Sequence, residues 1–121
     1  MNRIDLIGRL TADPEKRTTQ NGTTVTSFTL AVDRPHVKNT TDFINCVAWR
    51  QTGEFVAEYF TKGRKMGVSG ILTTRQYEDR NGNKRTAFEV VADQVDFCDS
   101  KSATKPADDF PVVDDDGELP F

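Results

Sequence analysis

The sequence predicts a mainly β fold: a five-stranded Greek-key barrel with one short helix between strands 3 and 4, followed by a disordered acidic C-terminal tail. Three observations carry this. Apolar runs rich in β-branched residues are separated by turn signals, among them Asn21-Gly22 and Asn81-Gly82. One segment between the third and fourth runs switches from strand to helical period. The charge changes sign beyond Asp99. Residues 1–99 hold 14 Lys and Arg against 13 Asp and Glu, a net +1, whereas residues 100–121 carry a net −4. A block of like charge stays solvated, so two units are expected: a barrel domain over 1–99 and a tail over 100–121.

The first strand is read from Ile4, Leu6 and Leu10, with Ile7 out of phase. The second carries Val25, Phe28, Leu30 and Val32, and Asn21-Gly22 before it favours the positive backbone angles of a tight hairpin. The third is Asp42–Trp49. In the helix, expected over about 53–62, Phe55, Val56, Tyr59 and Phe60 form one face. Thr52 is placed to cap its start, Glu54 lies near its positive end, and Gly63 suits a left-handed C-terminal cap. The fourth strand runs from Met66 to Tyr77. The last, Thr86–Phe97, puts Phe88, Val90 and Ala92 on one face and Val91, Val95 and Phe97 on the other. Phe28, Phe88, Tyr59 and Phe60 are expected in the core. Five strands with one helix after the third suit the oligonucleotide-binding type of barrel, the OB-fold.

The 121 residues are 36% hydrophobic and 29% charged, ordinary for a soluble chain. No run approaches the roughly 18 apolar residues of a membrane helix. No signal peptide is visible, so a cytoplasmic location with reduced thiols is expected. Cys46 and Cys98 lack the paired spacing of a zinc site, and His36 is the single histidine. They read as two small hydrophobes rather than a disulfide. No metal or cofactor is expected. Nor is catalysis: Gly63-Arg64-Lys65-Met66-Gly67 lacks P-loop spacing, and a lone histidine without a matched nucleophile is not a triad.

The third strand carries the most functional information. Ile44, Cys46 and Ala48 share one face, apolar and modest in size, suited to a barrel interior. Phe43, Asn45, Val47 and Trp49 share the other, with its two large aromatics about 20 Å apart at 3.3 Å per residue. Such a face serves either a second subunit or flat ligands. Arg50 follows Trp49, Arg34 ends the neighbouring strand, and His36 lies in the loop between. The fourth strand ends in Arg75-Gln76-Tyr77, and Arg80, Lys84 and Arg85 follow in the hairpin. Aromatics interleaved with cations fit single-stranded nucleic acid, whose bases offer π-faces and whose phosphates attract Arg and Lys.

These segments resemble the bacterial-type single-stranded DNA-binding protein family. The likeness rests on Asn2-Arg3-Ile4-Asp5-Leu6-Ile7-Gly8-Arg9-Leu10, Asp13-Pro14-Glu15, Phe28-Thr29-Leu30-Ala31-Val32, Asp42–Trp49, Tyr59-Phe60-Thr61-Lys62-Gly63 and Gly70-Ile71-Leu72-Thr73-Thr74-Arg75. The third strand and the Lys-Gly close of the helix look nearest to proteins of Gram-positive bacteria and their phages. The resemblance implies an OB-fold homotetramer that binds single-stranded DNA in replication, recombination and repair. It implies stacking by Phe43, Trp49 and Tyr77, with His36 where some members have a larger ring. It further implies phosphate contacts by Arg3, Arg17, Arg34, Lys62 and Arg75; Arg50, Lys84 and Arg85 join them by their place beside the aromatics.

The tail is similar as well. Family members close in acidic residues and a short apolar tip, and here Asp114-Asp115-Asp116-Gly117-Glu118-Leu119-Pro120-Phe121 does the same, with Gly117-Glu118 a departure. A ring and a carboxylate at Phe121 suit capture by a partner protein, and the acids would steer it. Leu119 and Pro120 complete the expected partner-binding tip, reached through a linker over about 100–107 that is shorter than the family's usual one. Two other readings of the barrel stand beside this one: a replication or recombination adaptor acting mainly through protein docking, and an RNA-binding module of cold-shock type.

Overall fold

A computed structural model describes residues 1–99. The tail, with Asp114 to Phe121, lies outside the described residues. The elements are β1 (Ile4–Leu10), β2 (Glu15–Thr18), β3 (Thr24–Asp33), β4 (Thr41–Trp49), α1 (Arg50–Tyr59), β5 (Lys65–Glu78) and β6 (Lys84–Phe97). No helix among them is long and apolar enough to cross a membrane.

The strands form one sheet in the order β1-β5-β6-β4-β3-β2, and a further β1–β3 pairing closes it into a ring. Closure rests on Arg9 opposite Ala31 and Leu10 opposite Leu30. All neighbours are antiparallel except β4 and β6, which run parallel over Cys46–Ala48 and Val90–Ala92. The five ring strands and the single helix are the expected barrel. The additional strand, β2, is a four-residue edge piece on β3, where β1 no longer pairs. Glu15-Lys16-Arg17-Thr18 has no apolar residue, so no hydrophobic period announces it; backbone pairing alone makes it a strand.

Inside the ring, Leu30, Met66, Val68 and Val90 are fully or almost fully buried, and Val56 and Phe60 plug one end from α1. The β1 alternation is clean: Ile4, Leu6, Gly8 and Leu10 turn inward, and Ile7 is exposed on the outer face. Cys46 and Cys98 are free thiols. Burial, and after it the charge of Glu89, pushes the Cys46 thiol up to about 12.

Four expectations need correction. The helix starts three residues early: Trp49 is its N-cap, with no capping side chain, and Thr52 lies within the first turn. It stops at Tyr59, so Gly63 (φ 87°) does not cap it but turns the chain back, its amide donating to the Leu10 carbonyl at 2.9 Å. In both Asn-Gly hairpins only the glycine takes positive φ, with Gly22 at 81° and Gly82 at 80°, as a longer loop requires. Finally, Val91, Val95 and Phe97 do not share a face. Gly70 pairs with Ala92 and Ser69 with Gln94, so Asp93 is an extra residue. This bulge reverses the inward phase of β6, bringing Val95 against the core.

The buried polar side chain Thr26 ties the helix to the barrel: its hydroxyl donates to the Gly53 carbonyl at 2.7 Å. Thr26→Val keeps the shape but removes this bond, which costs about 0.5–1.5 kcal/mol. Thermal unfolding should therefore fall by several degrees, and an unchanged midpoint would show that the bond contributes nothing.

Candidate nucleic-acid interface

The candidate wall is the outer surface of β5, β6, β4, β3 and β2, and its composition follows from the ladder register. On β4, Phe43, Asn45, Val47 and Trp49 point outward while Cys46 and Ala48 are buried. Val47 is also buried, an exception to the expected open face, because neighbours on both sides cover it. It stands level with Val91 of β6, which pairs with Ile71 of β5. Two-residue steps along β5 then place Arg75 and Tyr77 on the same wall.

Three aromatics of this wall are open to solvent: Phe43 is 68% exposed, Trp49 43% and Tyr77 45%. Two of them lie in a cross-sheet row with a cation. Trp49 pairs with Val25, whose other neighbour is Arg17. Tyr77 pairs with Arg85. Phe43 pairs with Ala31 of β3, beyond the stretch where β4 pairs with β6. The Arg75 guanidinium also lies 5.7 Å from the Tyr77 ring centre, within cation–π range. Trp49 and Phe43 stand about 20 Å apart along β4. The arrangement offers exposed flat rings on β4 and β5 with cations on the same wall. Glu89 is an acid on the same wall.

The cations divide into two groups. Arg34 binds Asp42 through two hydrogen bonds of 2.6 and 3.2 Å, Arg3 meets Asp93 at 2.8 Å, and Arg85 meets Asp79 at 2.9 Å. Arg34 holds the Asp42 carboxyl below its usual range, and the ion pairs raise Arg3 and Arg34. Arg17, Arg50, Arg75 and Lys84 make no ion pair among the described residues; Arg17 donates only to the Ser27 hydroxyl, at 3.3 Å. Lys62 is not brought to the wall. It sits in the turn after α1, its amide bonded to Asp13 at 2.8 Å. His36, at φ 65°, is exposed in the loop joining β3 to β4.

Other aromatics lie where the sequence reading did not put them. Phe28 and Phe60 are core, but Phe88 is 60% exposed and Tyr59 is half exposed. Phe88 does share a face with Val90, as its parity requires. Yet β5 and β6 run past the barrel rim as a two-stranded arm, so no opposite wall covers it. Tyr59 packs with Phe55 at 5.0 Å and lies 6.4 Å from Phe97, at the helix end. The arm's tip is fixed by Asp79, which accepts from the amides of Asn81 and Asn83 at 2.9 and 3.0 Å and from Arg85.

Comparison with known proteins adds the following. Residues 1–98 match the family described as the single-strand binding protein family. A single-stranded DNA-binding protein of Clostridium perfringens is 50% identical over 101 residues, which cover 83% of this chain and 67% of that protein. One from Halalkalibacterium halodurans is 45% identical over 107 residues, covering 85% and 64%. The single-stranded DNA-binding protein A of Bacillus subtilis is 46% identical over 106 residues, covering 84% and 62%. The matched part thus spans about two thirds of the length of these curated relatives.

The arm's tip has a pH signature. The Arg85 guanidinium, and after it the Asn83 amide, hold the Asp79 carboxyl below the ordinary range. Its folded value is depressed, so its contribution is present at neutral pH and is lost as pH falls through that value. In an NMR titration the Asn81 and Asn83 amide signals should move only below the ordinary carboxylate range near 4. Movement centred at or above that range would contradict the assignment.

Proposed function

This chain belongs to the single-strand binding protein family, and on that footing we propose that it binds single-stranded DNA without sequence preference and protects it during replication, recombination and repair. The observation that carries this is the set of solvent-open rings, Phe43, Trp49 and Tyr77, on one wall, with Arg17 in the cross-sheet row of Trp49 and Arg85 in that of Tyr77. Bases stack on the rings, an interaction open to any base and denied to a duplex, whose base faces are already occupied. Arg17, Arg50, Arg75 and Lys84 receive phosphates directly. Arg3, Arg34 and Arg85 exchange an aspartate for a phosphate. His36 lies in the loop that leads into Phe43 and offers a smaller surface for one more base.

Two further parts of the proposal concern assembly. Among the described residues, Ile4–Gly8 pair with a strand on one side only, β5. That open edge and the exposed Ile7 support association of copies of this chain into a homotetramer. The acidic residues Asp114, Asp115, Asp116 and Glu118 beside Leu119, Pro120 and Phe121 support recruitment of partner proteins with a basic-rimmed apolar pocket.

Adding oligodeoxythymidine should quench Trp49 fluorescence, and affinity should fall with salt at a slope near −0.7 per phosphate neutralised. Trp49→Ala should weaken binding by about 1–3 kcal/mol for every base composition. Unchanged emission, or a flat salt response, would overturn the stacking and charge parts respectively. Equal competition by oligouridine would favour an RNA-binding module, and weak affinity overall a docking adaptor.

For the assembly, sedimentation should give four chains per particle. Removing Leu119-Pro120-Phe121 should end partner capture without weakening DNA binding. A monomer, or undiminished capture, would refute the corresponding part.

A further inference from the structure

The left-handed backbone at Arg50 is a strained point that neither the charge reading nor the stacking reading uses. Arg50 has φ 57°. A non-glycine residue reaches this region at a cost, and it persists only where the surroundings over-determine it. Here both flanks are fixed. Trp49 is still in the sheet, paired with Val25, which is buried. Four residues on, Gly53 is buried against the same strands. A Cβ there would collide with the Ala48 carbonyl oxygen and lie 3.1 Å from the Thr26 hydroxyl, and the Gly53 carbonyl accepts from that hydroxyl. Thr24 adds a bond to Glu54 at 3.2 Å. The chain must therefore pass from β4 to α1 with no residue between them, and a left-handed step at Arg50 makes that reversal.

The reversal also determines where Trp49 ends up. The indole belongs to the last residue of β4, half open on the outer wall, because the chain turns away immediately after it. A right-handed step at residue 50 would move either the strand end or the first helical turn, both of which are held.

We propose that Arg50 is a positioning residue for Trp49: its left-handed backbone, apart from its guanidinium, presents the indole as a stacking surface. This rests on the stacking function proposed above. Two properties of one residue are thus separable, since charge resides in the side chain and the turn in the backbone.

The test compares neutral substitutions, all of which remove the cation, so that any loss of phosphate contact is common to them. Glycine and asparagine tolerate the left-handed region; arginine and alanine carry the same Cβ cost there, and a β-branched residue the largest. Arg50→Gly and Arg50→Asn should share one modest loss of oligodeoxythymidine affinity and keep the full Trp49 quench at saturation. Arg50→Val should lose about tenfold more affinity and most of the quench. If Arg50→Val does not fold, Arg50→Thr against Arg50→Gly makes the same comparison with a smaller β-branched residue, and the difference runs in the same direction. Recovery of the quench by Gly and Asn is the readout that loss of charge cannot produce. Equal quench and affinity across all neutral variants would overturn the inference while leaving the stacking function standing. If the unsubstituted protein shows no Trp49 response to oligodeoxythymidine, the stacking function itself fails.

Discussion

The barrel closes through a close approach of β1 to β3, and the rest of the molecule depends on it. A Cβ on Gly8 would lie 2.6 Å from the Ala31 carbonyl oxygen and 2.9 Å from a Val32 methyl. With glycine there, β1 can cross tightly enough for Arg9 and Leu10 to pair with Ala31 and Leu30, and the sheet becomes a ring. Closure protects most strand edges and gives the apolar residues of five strands a common interior. It also curves the opposite side, β5, β6, β4 and β3, into one continuous outer wall. The interior takes Cys46 and Ala48, so the alternating partners on β4 have nowhere to go but out. The exposed aromatics follow from the fold, and their retention there is what calls for a ligand.

Much of this was legible in the residue order. The β4 alternation alone separates Ile44, Cys46 and Ala48 from Phe43 and Trp49, because a pleated strand has a period of two. The ring strands and the helix between Trp49 and Lys65 follow from the same kind of reasoning. What escaped has physical causes. Strand β2 is held by pairing with β3 and carries no hydrophobic signal. The Asp93 bulge shifts phase without leaving any mark in apolar periodicity. For Phe88, parity gave the correct face, but parity does not say where the barrel ends and the free arm begins. Tyr59 fell on the expected helix face, yet as the last helical residue it is half exposed, packed against Phe55 and near Phe97 rather than inside the barrel.

The charge of the wall is also more structured than its composition. Three of the basic residues singled out from sequence are held by aspartates: Arg3 by Asp93, Arg34 by Asp42 and Arg85 by Asp79. These carboxylates orient long side chains, so the positive groups stand at defined heights above the sheet. They also reduce the net field, which limits indiscriminate attraction of anions.

The two thiols differ in a way that has practical weight. Cys46 is sealed in the barrel, and at neutral pH almost none of it is the reactive thiolate. Cys98 is only partly covered, where β6 has just ended. A maleimide-linked dye would thus attach at one place in the native protein, next to the junction with residues 100–121. The molecule carries its own single attachment point for a distance reporter, with Trp49 as a second, intrinsic chromophore.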